Sequence, residues 1–274
     1  MRTILVPTDF SAAASNALDY AMALARHMPS RLILFHVYHL PFPVLDIPGT
    51  FTLPPDIAQI EADRITETVS ELRQGKGQGI SIEGMVSAGF AADEIPEMAK
   101  EKKADLIVLG ISTAGKLGHA LFGSITTGVI EKTQTPLIIV PENYLFMMPE
   151  RIGFACDFGE ELSPLLLEKV RMFCALFRAK LLVINVENPE EPISNQKAVS
   201  SMQLESKLSG VTHSLHFPAH RDVITGLVEF EDHNLVDMLV MVSHHHSVIS
   251  QIFHAGKTRK MIFHTHVPLL VLHE

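Results

Sequence analysis

The hydrophobic residues of the chain fall into two alternating patterns. Short, largely apolar runs occupy residues 4–6, 31–37, 104–110 and 135–140, and continuous runs of this kind joined through helices are typical of parallel strands covered on both faces. Ser11 follows the first run and is placed to cap a helix. The apolar residues after it recur at helical spacing, at Ala14, Leu18, Ala21, Met22 and Ala25. The pattern predicts strands and helices in alternation.

The same order of features occurs a second time in the later part of the chain. Residues 154–159 echo residues 6–11, since an apolar run ends in an aspartate and is followed by a helical pattern in both places. The helical face of the second copy is formed by Leu166, Val170, Phe173 and Phe177. Its apolar runs lie at 152–154, 180–186, 236–242 and 267–272. Self-similarity at this long spacing indicates a duplicated unit.

The length of 274 residues suits two domains better than one. We predict an α/β architecture of two repeated doubly wound domains, each with a five-stranded, mainly parallel sheet flanked by helices. The predicted domains are residues 1–142 and 150–274, joined by a short linker at about 141–150. The proline-rich segment 41–55, which the second copy lacks, is interpreted as an ordered flap or surface loop.

Composition and charge restrict the partners of the chain. The net charge is −9 and no basic run of five or more residues occurs, which argues against nucleic acid or an anionic membrane as a partner. No segment approaches the ~20 apolar residues of a membrane helix, so a cytoplasmic location is expected. Cys156 and Cys174 fit neither a disulfide framework nor a Cys-x-x-Cys site.

A glycine-rich segment, residues 110–126, leaves a buried strand and enters a helix. Glycines let backbone N–H groups approach an anion, and a helix N-terminus adds a favourable dipole. The segment is therefore either a phosphate cradle or a turn that merely closes the sheet. A phosphate-loop hydrolase is disfavoured because Leu117 stands where the motif needs a hydroxyl, and Gln251 stands where a second near-match, at 256–258, needs its first glycine.

The residues at these positions resemble those of the universal stress protein family. The likeness lies in segments 6–9, 86–89, 105–110 and 135–140 and in Gly123 with Ser124, and it extends once over each half of the chain. The resemblance implies a tandem, UspA-like member with the fold of the adenine nucleotide alpha hydrolases. ATP-binding members of the family carry the motif G-x2-G-x9-G-[ST].

The resemblance assigns a nucleotide-binding role to residues of the first half. Asp9 matches the aspartate that contacts the nucleoside, and Val37 matches the valine that contacts adenine. The remaining matched or adjoining positions are Pro7, Thr8, Gly110, Gly123, Ser124 and Ile125. The inner glycine of the motif is replaced by Thr113, and the nearest glycine is Gly115. Either the Thr113 side chain crowds the phosphates, or the loop shifts and uses Gly115.

The second half lacks the glycines of the motif. Val242 aligns with Gly110, His245 with Thr113 and Ala255 with Gly123. Side chains at these positions should block the approach of backbone to a triphosphate, so we expect no ATP site of the family's kind there. Asp157 is retained, and alone it is interpreted as a turn or helix-capping residue.

Histidines are concentrated in the second half instead. His244, His245, His246 and His254 are candidate Zn²⁺ ligands, because neutral imidazoles are common metal ligands. The alternative is a pH-sensitive or anion-binding surface with the cations of segment 257–260, or a sheet edge flanked by His264 and His266. Three acidic residues in the first half are interpreted as the solvated first turn of a helix, namely Asp93, Glu94 and Glu97.

We therefore expect ATP or another adenine nucleotide, with or without Mg²⁺, in the first domain of a stress-response protein. No catalytic residue is predicted, and at most weak ATP hydrolysis is expected. The resemblance further implies that strands at 137–140 and 269–272 pair antiparallel across the two domains, which would make an internal pseudo-dimer. A homodimer and an unknown protein partner are further expectations. The alternatives are an interaction module without nucleotide and a zinc-binding protein.

Overall fold

The chain divides into two compact units, Met1–Thr135 and Pro136–Glu274. A computed structural model describes residues 2–39, 57–112, 122–157, 162–190, 195–243 and 266–273. The predicted flap at 41–55 lies outside these ranges. Each unit is an alternation of strands and helices, as the hydrophobic pattern predicts.

The first unit contains a parallel sheet with the strand order β3-β2-β1-β4. Chain order is strictly alternating, and helix α1 packs against β4, β1 and β2 while α3 packs against α4. The elements are β1 (Thr3–Thr8), α1 (Ala12–His27), β2 (Arg31–Tyr38), α2 (Ile57–Gln74), β3 (Ile82–Ala88), α3 (Ala91–Glu101), β4 (Leu106–Ile111) and α4 (Phe122–Lys132).

The second unit repeats this order in its parallel strands and adds one antiparallel strand. Its elements are β5 (Leu137–Pro141), β6 (Arg151–Ala155), α5 (Pro164–Phe177), β7 (Lys180–Ile184), α6 (Asn195–Lys207), β8 (His213–His216), α7 (Val223–Asn234), β9 (Met238–Ser243) and β10 (Leu269–His273). The strand order is β5-β10-β9-β6-β7-β8. Strand β5 runs antiparallel to β10, with Ile139 opposite Leu269.

The predicted α/β class with repeated parallel sheets is confirmed. The predicted antiparallel pairing of the strands near 137–140 and 269–272 is confirmed as well. Strand β5 pairs with β10 and belongs to the second compact unit, which begins at Pro136. The domain boundaries at 142 and 150 and the pseudo-dimer stay predictions.

The predicted helical faces form the cores. All five apolar residues of the α1 face and all four of the α5 face are buried. Ser11 caps α1 by accepting a hydrogen bond from the Ala14 N–H at 3.2 Å, and Ser163 caps α5 through Leu166 in the same way. Within the described part of the chain, no helix is long and apolar enough to cross a membrane.

An aspartate carboxylate holds the start of one central strand in each unit, β1 in the first and β6 in the second. Asp105 Oδ2 accepts hydrogen bonds from the N–H groups of Arg2 and Thr3, at 2.6 and 2.9 Å. Asp237 Oδ2 accepts from Glu150 and Arg151 at 2.9 and 2.8 Å. These aspartates precede β4 and β9, so each ties the start of one central strand to the start of its neighbour.

We expect Asp105→Ala and Asp237→Ala each to lower the free energy of unfolding by about 2 kcal/mol, because each removes a charged acceptor from two backbone N–H groups. Glu101→Ala is the control, since Glu101 is exposed and pairs with its neighbour Lys102, and it should cost less than about 0.5 kcal/mol. Urea unfolding at neutral pH measures the differences. A loss in either aspartate variant no greater than the control's would contradict the role assigned to these carboxylates.

Candidate functional site

The carboxyl end of β1 lies between the ends of β2 and β4. Thr8 is paired with His36 of β2, and continuing the register of Leu5 with Ile107 along β4 sets Thr8 beside Gly110. The chain leaves β1 toward β2 and returns from β3 to β4, so the strand order reverses here. In open parallel sheets, ligands bind at such a reversal point, outside the carboxyl ends of the strands.

The turn after β1 is held by its own polar side chains. Thr8 Oγ1 accepts the Phe10 N–H at 3.0 Å, and Asp9 Oδ1 accepts the Ser11 N–H at 2.9 Å. Asp9 itself is exposed, whereas Pro7 before it is buried and Thr8 is half-buried. The turn therefore presents the Asp9 carboxylate outward while its backbone is fixed.

Phe10 has a left-handed backbone conformation with φ of 63°. A bulky residue in this region costs on the order of 1 kcal/mol and persists only where its surroundings hold it. The Phe10 ring lies 4.8 Å from the His36 ring, between centroids, and the Arg64 guanidinium lies 3.7 Å from the Phe10 centroid. Strain of this kind clusters at functional sites.

His36 is a buried polar residue within the apolar run of β2. Its Nδ1 lies 2.7 Å from the Thr8 carbonyl oxygen, and its Nε2 lies 3.5 Å from Glu61 Oε2 of α2. Glu61 Oε2 also lies 3.7 Å from Arg64. Sequence reasoning missed this cluster, although a histidine inside a strand of otherwise buried apolar residues was a signal in itself.

Gly110 lies where β4 meets the start of α1. A β-carbon at this position would lie 2.1 Å from the Ala13 carbonyl oxygen and 3.0 Å from the Ala14 nitrogen. The absent side chain thus lets α1 begin directly against the strand. This packing role comes in addition to the predicted role in a phosphate cradle.

The remaining predicted residues of the first half are placed in part. Val37 is half-buried in β2 beside the site edge. Gly123 and Ser124 lie in the first turn of α4, and Ile125 after them is exposed. Thr113 and Gly115 lie outside the described residues, so the two alternatives for that loop stay open.

Asp93 and Glu94 lie in the first turn of α3 as predicted, and Asp93 is exposed, but Glu94 is half-buried and has a specific partner. Its Oε2 accepts a hydrogen bond from the Ser87 hydroxyl at 2.6 Å. Gly89, at φ of 155°, passes so close that a β-carbon would lie 2.7 Å from Glu94 Oε1. Glu94 therefore fixes the end of β3, whereas Asp93 pairs with Lys132 on the surface.

The same edge of the second unit has a related scaffold and different chemistry. Asn185 follows β7 and its Nδ2 donates to the Cys156 carbonyl oxygen at 2.8 Å. Burial raises the pKa of the Cys156 thiol to about 12, with a smaller contribution from Asp157. Val242, the counterpart of Gly110, is buried in β9.

The histidine hypothesis falls largely outside the described ranges. His244, His245, His246, His254 and His264 all lie there, so the Zn²⁺ proposal stays a prediction. Of the neighbouring histidines, His266 is exposed and His273 is buried in β10. Among the described residues, no group of three or more His, Cys, Asp and Glu side chains could hold a metal ion.

Comparison with known proteins gives a consistent result. The model of the universal stress protein family matches residues 1–141. Universal stress proteins of Methanocaldococcus jannaschii and Synechocystis are 30% and 31% identical to about half of this chain, over 81% and 96% of their own lengths. A solved universal stress protein of Archaeoglobus fulgidus covers 99% of this chain, and 96% of its own, at a TM-score of 0.72 and 18% identity. A universal stress protein solved in complex with cAMP has a TM-score of 0.38.

We expect Gly110→Ala to destabilise the protein by about 1–3 kcal/mol, because the new methyl group meets backbone atoms that cannot move independently. Gly75→Ala is the matched control, since its β-carbon would lie 3.3 Å from the Glu71 carbonyl oxygen. Thermal and urea unfolding of both variants measure the difference. Equal stability of the two variants would show that α1 and β4 tolerate a side chain between them.

The buried thiols predict a loss of stability at alkaline pH. Burial raises the pKa of Cys156 to about 12 and of Cys174 to about 11, from 9.0. Above pH 9 the unfolded chain therefore loses these protons first, and stability falls as pH rises toward the folded pKa values. Each thiol steepens the fall by up to about 1.4 kcal/mol per pH unit. Between pH 9 and 11 the Cys156→Ala/Cys174→Ala variant should lose stability less steeply than the wild type; parallel curves would contradict this.

Proposed function

The chain belongs to the universal stress protein family, and on that premise we propose that its first half binds ATP or a related adenine nucleotide in a regulatory, stress-response role. The observation that carries the proposal is the turn after β1. It presents Asp9 at the reversal point of the sheet, beside a glycine strand end at Gly110. A nucleoside with its phosphates is the ligand class that such an edge fits.

Each predicted residue has a distinct part in this proposal. Asp9 uses Oδ1 to hold the Ser11 N–H, and its second oxygen can accept a hydrogen bond from a ribose hydroxyl. Val37 and Thr8, both half-buried, would lie beside the base, and the part of Pro7, which is buried in β1, is confined to its backbone. Gly123 and Ser124, at the N-terminus of α4, supply N–H groups and a helix dipole for the phosphates.

The proposed role is binding and not catalysis. Asp9 is a carboxylate at this edge, and its Oδ1 already accepts a hydrogen bond from a backbone N–H. It is therefore a poor general base. Mg²⁺, where it accompanies the nucleotide, would neutralise phosphate charge. The cytoplasmic location and a protein partner remain predictions.

The second half is proposed not to hold a nucleotide in this manner. Val242 is buried where the first half has Gly110, and α5 begins seven residues after Asp157, whereas α1 begins three residues after Asp9. A longer turn and an added side chain change the space at the strand ends. The two halves therefore offer an internal comparison within one chain.

The test is nucleotide binding by the full chain and by two matched variants. We expect wild-type protein to be stabilised by ATP, by about 2.7 kcal/mol at a concentration a hundredfold above Kd. Asp9→Ala should weaken binding about tenfold, because a hydrogen bond to a charged group contributes ~1.5 kcal/mol. Asp157→Ala, the counterpart in the second half, should leave the affinity unchanged. Calorimetry and thermal shifts measure both.

Competing ligands define the specificity of the site. ATP, ADP, cAMP and GTP should be compared at equal concentration, with cAMP included because a solved universal stress protein holds it. Adenine nucleotides should stabilise the protein and GTP should not. If no nucleotide shifts the melting temperature, the result favours the interaction module instead. If Asp157→Ala loses binding and Asp9→Ala does not, the site lies in the second half and the proposal is wrong.

A further inference from the structure

Two contacts in series link the candidate nucleotide turn to helix α2. The Thr8 carbonyl oxygen, the His36 ring and the Glu61 carboxylate follow one another at 2.7 and 3.5 Å. Thr8 is the residue directly before Asp9, so the first contact acts on the backbone that carries the proposed ligand group. His36 and Glu61 are themselves set back from solvent, with side chains 11% and 20% exposed.

The hydrogen bond fixes which atom of His36 carries a proton. A carbonyl oxygen only accepts, so Nδ1 must donate to Thr8. Neutral His36 would then face Glu61 with the lone pair of Nε2, which repels a carboxylate. A proton on either Nε2 or Oε2 makes this 3.5 Å contact attractive, and among the described residues Glu61 Oε2 has no hydrogen-bond partner.

Two further side chains complete the cluster. The Phe10 ring packs on His36, and the Arg64 guanidinium lies over the Phe10 ring and forms an ion pair with Glu61. These contacts hold Phe10 in its left-handed conformation. Asp9 therefore lies between two residues, Thr8 and Phe10, that are both fixed by the same histidine.

The second half shows which part of this arrangement is general. Strand register places Asn185 opposite Cys156 just as His36 stands opposite Thr8. Asn185 Nδ2 donates to the Cys156 carbonyl oxygen, whereas its buried Oδ1 has no hydrogen-bond partner in the part of the chain that the structure describes. An amide can thus replace the imidazole as the donor to the carbonyl.

We propose that His36 is a positioning residue for nucleotide binding: it fixes the Thr8 carbonyl and Phe10, and Glu61 orients it from α2, so that Asp9 is held ready for the ligand. The inference rests on the proposed function of the first half. His36 itself touches no ligand in this scheme. It acts through the backbone on either side of Asp9.

The first test compares two substitutions of the histidine. His36→Asn keeps a donor for the Thr8 carbonyl, as Asn185 does in the second half, but loses the contact with Glu61, so it should bind ATP about threefold more weakly than the wild type. His36→Leu removes the donor and should bind at least about tenfold more weakly. In the His36→Leu background, Asp9→Ala should add little further loss, because an unpositioned carboxylate contributes little.

A matched control separates positioning from general stability. Asn185→Leu deletes the same kind of carbonyl hydrogen bond in the second half, so it should cost similar unfolding free energy while leaving the ATP affinity unchanged. The proposal is overturned by wild-type affinity in His36→Leu, by equal weakening in His36→Asn and His36→Leu, or by equal weakening in Asn185→Leu.

The orientation by Glu61 is tested with His36 left in place, which also serves if His36→Leu fails to fold. Glu61→Gln can donate an N–H to Nε2 and should bind ATP like the wild type. Glu61→Leu cannot, and should bind about threefold or more weakly. Equal affinities for these two variants and the wild type would remove Glu61 from the scheme.

Amide hydrogen exchange distinguishes failure of this inference from failure of the proposed function. The Phe10 and Ser11 N–H groups are bonded to Thr8 Oγ1 and Asp9 Oδ1. They should exchange at least about tenfold faster in His36→Leu than in His36→Asn, with no nucleotide present. If the wild type binds no nucleotide but this difference is found, the proposed function fails while His36 still positions the turn. Unchanged exchange in His36→Leu overturns the positioning role.

Discussion

The candidate site depends on the backbone contact between Gly110 in β4 and Ala13 in the first turn of α1. A β-carbon at residue 110 would lie 2.1 Å from the Ala13 carbonyl oxygen, so strand and helix reach this separation only through glycine. The close approach sets where α1 begins, and it leaves a short connection after β1. Within that connection Phe10 has a left-handed backbone and Asp9 is turned outward. The geometry of the proposed ligand edge therefore follows from one absent side chain.

The second half shows the consequence of losing that contact. Val242 stands at the position of Gly110, and α5 begins only at Pro164. A longer connection does not require the helix to start against the backbone of β9, so a buried valine can be accommodated. From the sequence, Val242 was interpreted as an obstacle to phosphate. The structure adds a second reason why valine can replace glycine at this position, because the packing of strand against helix also differs between the halves.

The fold was predictable from the chain because its signals are local and repeated. Buried parallel strands give largely apolar runs, and the apolar residues on the faces of α1 and α5 recur at helical spacing. Ser11 indicates the start of a helix because serine is a favoured N-cap residue. The cluster at His36 was not predictable in the same way. Its members come from β1, β2 and α2, and only strand register brings them together. The hydrogen bond of Glu94 is not predictable for a similar reason, because its partner Ser87 lies on β3 and not on the same helix.

Comparison of the two halves separates what maintains the fold from what shapes the edge of β1. The aspartates before β4 and β9, and the side-chain donors at His36 and Asn185, make equivalent bonds in both units, so they serve the shared scaffold. His36 differs from Asn185 in having a second ring nitrogen, which meets Glu61 on α2. The Asn185 amide connects two neighbouring strands, whereas the His36 imidazole connects two strands and also contacts helix α2. The added contact acts through His36 on the Thr8 carbonyl, one residue before Asp9, where a rigid backbone lowers the entropic cost of holding a ligand.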